Sequence, residues 1–210
     1  MSAATPAGAQ QGAFEFTAEN LERARRIIGR YPPGRQASAV MPLLDLAQRQ
    51  NGNWVSRAVM DYIADLLEMP RIRVYEVATF YTMYNKRPVG RHFVQICTNV
   101  PCMLRGSDDI VKACERKLGI RMGGTTDDGQ FTLVEVECMG ACVNAPMVQI
   151  GDDYFEDLTP ERMEQILDML SRGEVPPAGS QTGRLTSAPA TGPTTLTERA
   201  RKAGVIKAEG

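Results

Sequence analysis

Histidine is almost missing from this chain: His92 stands alone among 210 residues. That removes the usual base for a serine or cysteine nucleophile, and no serine, histidine and acid constellation can be assembled. His92 reads instead as a strand residue near a domain edge. Glycine-rich nucleotide cradles are missing too. No G-x-G-x-x-G follows an apolar run, and no G-x-x-x-x-G-K with a following serine or threonine occurs, so the chain offers no phosphate loop of its own. A dominant charge is also absent, since 24 Lys and Arg stand against 25 Asp and Glu for a net charge of -1. Neither a basic field for nucleic acid nor a basic block for anionic membranes is available. No apolar stretch approaches a membrane span, and Met1-Ser2-Ala3-Ala4-Thr5-Pro6 carries neither the apolar core of a secretory signal nor an arginine-rich transit pattern. A soluble protein that stays inside is expected. No reaction on an organic substrate can be assigned to this chain alone.

What the chain does have is five cysteines, four of them in two tight pairs, Cys97-x4-Cys102 and Cys138-x3-Cys142. Each metal wants about four ligands, so four thiolates grouped two and two suit either one zinc ion or the two irons of a 2Fe-2S cluster. A Rieske centre is closed off, because it needs two histidines on one iron. In a reducing interior, metal or redox chemistry is favoured over a pair of disulfides, which remains the lesser alternative. Both pairs are expected on loops rich in glycine, proline and asparagine that follow apolar runs. Cys114 differs from the other four. Between Ser107, an expected N-cap, and Gly119, an expected C-terminal cap, Ile110, Cys114 and Leu118 recur every four residues on one face, so Cys114 is expected in the core.

Residues 1 to 15 are small and polar and are expected to be disordered. From Thr17 to about Tyr84 the pattern is helical. Leu21, Ala24, Ile27 and Ile28 form one stripe after a Thr17 cap. Val40, Met41, Leu43, Leu44 and Ala47 form a second, with a kink expected near Pro42, and Val59, Met60, Ile63 and Leu67 form a third after Ser56; a shorter helix lies between Ile72 and Phe80. Closely joined amphipathic segments predict a small helical bundle.

Near Arg91 the period becomes extended. His92 to Ile96 and Phe131 to Glu137 read as strands, Ser107 to Leu118 as a helix, and Met147 to Ile150 with Tyr154 to Glu156 as a hairpin about Gly151-Asp152-Asp153. Thr159-Pro160-Glu161 caps a last helix carrying Met163, Ile166, Leu167 and Leu170. In this β-α-β-β-β-α order both cysteine pairs follow the C-terminal end of a strand, so the two loops can converge at one edge of the sheet. Gly173 to Pro193, rich in proline, glycine, alanine, serine and threonine, is expected to be disordered, and Leu196 to Ala203 to form a turn or two of helix given a partner surface.

Cys97-Thr98-Asn99-Val100-Pro101-Cys102, Cys138-Met139-Gly140-Ala141-Cys142, Ala145-Pro146-Met147 and Glu76-Val77-Ala78-Thr79-Phe80-Tyr81-Thr82-Met83-Tyr84 together resemble the thioredoxin-like 2Fe-2S subunit of bacterial and mitochondrial NADH:quinone oxidoreductase, respiratory complex I. The likeness spans about residues 15 to 172. It implies an α+β chain in which a helical bundle (16–88) is followed by a thioredoxin-like 2Fe-2S ferredoxin domain (89–172); composition adds a disordered N-terminus (1–15) and a flexible tail (173–210). It further implies one 2Fe-2S cluster, with Cys97 and Cys102 on one iron and Cys138 and Cys142 on the other, exchanging single electrons with the FMN of a partner. FMN and NAD are expected on that flavin- and NADH-binding subunit, with the large iron-sulfur subunit as a further neighbour. The location implied is peripheral to a membrane, on the bacterial cytoplasmic side or in the mitochondrial matrix. Small residues such as Gly140 are expected to let backbone N–H groups approach the sulfurs and tune the potential.

Three other readings stay open. An equivalent subunit of an NAD-linked formate dehydrogenase or NAD-reducing hydrogenase shares the cluster and flavin partner; a zinc-stapled interaction module uses the cysteines structurally; a thiol oxidoreductase is weakened because C-x-x-C is absent. Finally, Ala145-Pro146 stands where thioredoxin-like folds often place a cis-proline, so a cis bond that holds the Cys138 to Cys142 loop against Cys97 is expected, with an ordinary trans proline as its rival.

Overall fold

The computed structural model describes residues 13–190 and 194–204. The chain divides into two compact units, residues 1–91 and 92–210.

Among the described residues of the first unit there are four helices, two of which, α1 and α3, begin behind side-chain caps. α1 (Ala18–Ile28) starts where the Thr17 hydroxyl accepts the Asn20 N–H. α3 (Arg57–Leu66) starts where the Ser56 hydroxyl accepts the Val59 N–H. α2 (Val40–Gln50) is entered through a 3-10 turn at Gln36–Ala39. Pro42 therefore lies in the first turn of α2, where its missing N–H costs no intrahelical bond, rather than at a kink. α4 (Arg71–Phe80) follows Pro70. Leu43, Leu44, Ala47, Val59, Ile63, Val74 and Tyr84 share one core. Of the stretch read as disordered, 1 to 12 lie outside the described residues. Phe14 packs edge to face on Phe16 and Tyr62, each pair of ring centroids 5.4 Å apart. Aromatic burial offsets the entropy that composition alone weighed.

Tyr84 closes this core. It is 1% exposed and its hydroxyl donates to the Met41 carbonyl at 2.9 Å. Burial, then the nearby Asp45 carboxylate, pushes its phenol up to about 12. An unfolded chain ionises tyrosine near pH 10, so its contribution is whole below pH 10 and is lost as pH rises from there to about 12, while only the unfolded state has released the proton. Tyr84→Phe is expected to cost about 1 kcal/mol at pH 7 through the lost hydrogen bond and to flatten the fall in stability above pH 10. Denaturant midpoints at about pH 7, 10 and 11.5 check both halves.

The second unit is a five-stranded sheet flanked by helices. β1 (His92–Cys97) pairs in parallel with β2 (Phe131–Val136) on one side and antiparallel with β3 (Val148–Ile150) on the other. β4 (Asp153–Glu156) extends the hairpin, and β5 (Gly179–Ser180) adds a short parallel edge, giving the order β2-β1-β3-β4-β5. Between β1 and β2 run α5 (Val100–Leu104) and α6 (Ser107–Leu118); α7 (Pro160–Ser171) follows β4. Val94 and Ile96, two apart and so on one face, join Leu133, Val148 and Phe155 from the sheet. Ile110 and Cys114 of α6 and Met163, Ile166 and Leu167 of α7 cover them. The two helices are also tied by Lys117–Asp168 and Arg116–Glu164 ion pairs. Cys114 is fully buried, as its periodicity predicts, and burial pushes its thiol up to about 12. Among the described residues no helix is long and apolar enough to cross a membrane.

Two local expectations are corrected. The cap of α6 is Gly106, not Ser107: the chain reverses after α5 at φ +97°, which glycine adopts without a Cβ penalty. Ser107 becomes the first helical residue, and its buried hydroxyl has no hydrogen-bond partner among the described residues. The tail also differs from its composition. As far as Ala190 it is folded on the second unit, where β5 pairs with β4 and Arg184 meets Asp157. Counting apolar burial alone misses an open strand edge and a buried charge pair. Residues 191–193 lie outside the described residues; beyond them α8 (Thr197–Lys202) forms with no buried side chain.

Candidate metal centre

Cys97 is the last residue of β1 and sits in register with Val136 at the end of parallel β2, two residues before Cys138. Parallel neighbours end on the same edge of a sheet, and that topology is what brings two sequence-distant loops together. The first pair is buried: Cys97 is 2% and Cys102 1% exposed, packed with Ala145 and Met147. The second pair, Cys138 and Cys142, is exposed, with its sulfurs 3.3 Å apart.

Cys102 stands on α5 rather than on a loop. Asn99 caps that short helix by accepting the Val100 N–H, and Pro101 occupies its first turn. Cys142 opens a 3-10 turn at Cys142–Asn144, and Gly140 bends the loop at φ +85° so that its N–H points to the Cys138 sulfur at 3.4 Å. Gly140 thus brings a backbone N–H to a sulfur, the contact expected from the sequence.

The two loops are laced to each other and to the sheet. Thr98 donates to the Glu135 carboxylate and Asn99 to that of Glu137 at 2.7 Å, joining the first loop to the strand that feeds the second. Tyr154 donates to the Met139 carbonyl at 3.0 Å, and the Cys97 N–H bonds the Met147 carbonyl at 3.3 Å. The Ala145-Pro146 bond is cis. None of Thr98, Glu135, Glu137 and Tyr154 stands out in the sequence, because their contacts depend on strand register. The acids two apart at the end of β2 are the one local hint.

The electrostatics separate the pairs. Burial, with a hydrogen bond to Cys97, pushes the Cys102 thiol up to about 12. The Gly140 N–H, then the Cys142 thiol, lower that of Cys138, and Cys142 is raised in turn by Cys138. Smaller contributions cross between the pairs, Cys142 raising Cys102 and Cys97 raising Cys142. Among the described residues no three His, Cys, Asp or Glu side chains are grouped to hold a single ion. Cys114 stays apart, inside the α6 core.

Comparison with known proteins gives this arrangement a family. Residues 24–171 match the model for thioredoxin-like 2Fe-2S ferredoxins. The chain belongs to that family. The resemblance carried by the cysteine loops is borne out, as is the α+β fold with helices ahead of a thioredoxin-like domain. A subunit of the NADH-quinone oxidoreductase of Rickettsia bellii is 59% identical over 157 residues, covering 75% of this chain and 94% of that protein. The mitochondrial NADH dehydrogenase (ubiquinone) flavoprotein 2 of Dictyostelium discoideum is 50% identical over 185 residues, covering 88% and 75%. Among solved structures, an NAD+-reducing NiFe-hydrogenase in the air-oxidized state matches with a TM-score of 0.54 at 17% identity, over 63% of this chain and 23% of that one. At that identity the likeness shows the fold alone. The donor set fits the family's cluster in kind: thiol sulfurs in two pairs, with a backbone N–H already directed at one of them.

Proposed function

We propose that this chain is the electron-transfer subunit of the NADH-oxidising module of an NADH:quinone oxidoreductase, with Cys97 and Cys102 holding one iron of a 2Fe-2S cluster and Cys138 and Cys142 the other. The observation that carries the reading is the placement of two cysteine pairs at the shared end of adjacent parallel strands, in a chain whose 50–59% identical relatives bear complex I subunit names. When bound, such a cluster takes up and gives back one electron at a time. A binuclear core asks for two thiolates on each iron, whereas a zinc staple asks for all four on one centre. Cys97 and Cys102 supply the sheltered side, and the exposed Cys138 and Cys142 supply the side a partner can approach.

Hydride chemistry belongs to a partner in this account, because the sequence offers no phosphate cradle. NAD and FMN are placed on a flavin- and NADH-binding subunit, with a large iron-sulfur subunit beside it, in an assembly peripheral to the membrane on the cytoplasmic or matrix side. The second reading is the equivalent diaphorase subunit of an NAD-linked formate dehydrogenase or NAD-reducing hydrogenase. The relatives at 50–59% identity favour complex I over it.

The test is anaerobic addition of NADH to the iron-loaded chain, alone and within the intact complex purified from membranes. Bleaching of the chain's visible absorption only in the complex, with electrons passing on to quinone, is the expected result. Bleaching of the isolated chain by NADH, or recovery of the chain only in a hydrogen- or formate-oxidising complex, contradicts the proposal.

A further inference from the structure

The segment after α7 returns to the second cysteine loop. It is held first by β5, whose Gly179 and Ser180 pair with Phe155 and Glu156 of β4. Arg184 then turns inward. Its Nη2 lies 2.6 Å from Asp157 Oδ1, and the two side chains are only 11% and 6% exposed. Its Nη1 donates to the carbonyl of Val143, the residue after Cys142, at 3.1 Å, and to that of Ala188 at 3.4 Å. The other oxygen of Asp157 accepts from Ser180 at 2.6 Å. One residue further along the loop, buried Asn144 donates to the Thr186 carbonyl at 2.9 Å and to Glu156 at 2.6 Å.

We infer that Gly179–Ala190 is a strap that positions the Cys138 to Cys142 loop, with Arg184 as its positioning residue; the inference rests on reading that loop as the ligand pair of one iron. Only arginine carries a planar fork that reaches a carboxylate with one arm and a carbonyl with the other. Its charge is already matched by Asp157, so its effect on the loop is placement rather than field. Exposed ion pairs are weak and screened, but a buried one leaves its partner uncompensated when broken. Two successive backbone or side-chain anchors, at Val143 and Asn144, hold the chain directly after a ligand sulfur. Groups that orient ligands in this way typically change metal retention about 10- to 100-fold when lost.

The experiment is iron release from the purified, iron-loaded chain, reduced with dithionite, to the ferrous chelator bathophenanthroline disulfonate, read alongside the reduced EPR spectrum. Arg184→Gln is expected to release iron about tenfold faster than the parent, with shifted g values. Arg184→Lys, which keeps the charge but not the fork, should fall between, and Arg172→Gln, which touches the exposed Glu174 instead, should match the parent. A chain ending at Ala178 should reproduce the fast release, and one ending at Ala190, strap intact, should not. Parent-like release and g values in both Arg184→Gln and the Ala178-ended chain overturn the strap. Absence of iron from the parent chain overturns the cluster reading beneath it.

Discussion

Alanine at any one of Cys97, Cys102, Cys138 or Cys142 is expected to remove most of the bound iron, from about two atoms per chain to a small residue. Alanine offers iron no donor, and a binuclear core with three thiolates has one under-coordinated iron open to water. The two pairs should fail differently. Loss of Cys97 or Cys102 also opens a void in the packed group with Ala145 and Met147, so those variants should lose some stability even without metal. Cys138 and Cys142 are exposed, and their loss should leave the metal-free fold intact. Cys114→Ala is the control: it should keep its iron and lose about 1–2 kcal/mol, because its side chain fills core between α6 and the sheet. Iron assays and thermal unfolding on all five variants check the pattern. Full iron retention by any of the four, or iron loss only in Cys114→Ala, would break the assignment.

Ile96→Ala is expected to destabilise the second unit by about 2–5 kcal/mol, against about 0.5–1.5 kcal/mol for Ile96→Val. Ile96 is fully buried on an interior strand, flanked by β2 and β3. It also immediately precedes Cys97, so a slackened β1 end should loosen the first ligand pair as well as the core. The chain's single tryptophan, Trp54, lies in the first unit, so circular dichroism rather than its fluorescence should follow this change. A cost below about 1 kcal/mol would mean that the sheet is less closed around β1 than the packing indicates.

Legibility in the sequence follows the range of the interactions. Helix starts at Thr17, Ser56 and Thr159 are readable because a cap acts on a backbone N–H three residues away. Strands β1 and β2 and the burial of Cys114 are readable from periods of two and of nearly four. The convergence of the cysteine loops is readable from strand order. What escapes depends on register or on three-dimensional partners. Tyr154 reaches Met139 only because β3 and β4 pair as they do, and Gly106 takes the cap from Ser107 only because α5 ends just before it. The strap escapes for the same reason. Its composition is that of a disordered tail, and nothing local to Arg184 announces that Asp157 and Val143 await it across the fold.

The most direct test of the central claim is the iron, acid-labile sulfide and EPR content of the full chain, purified anaerobically and measured before and after dithionite. A red-brown protein with about two irons and two sulfides per chain is expected, silent when oxidised and giving one unpaired spin when reduced. A colourless protein that carries one zinc and gives no signal on reduction would contradict it.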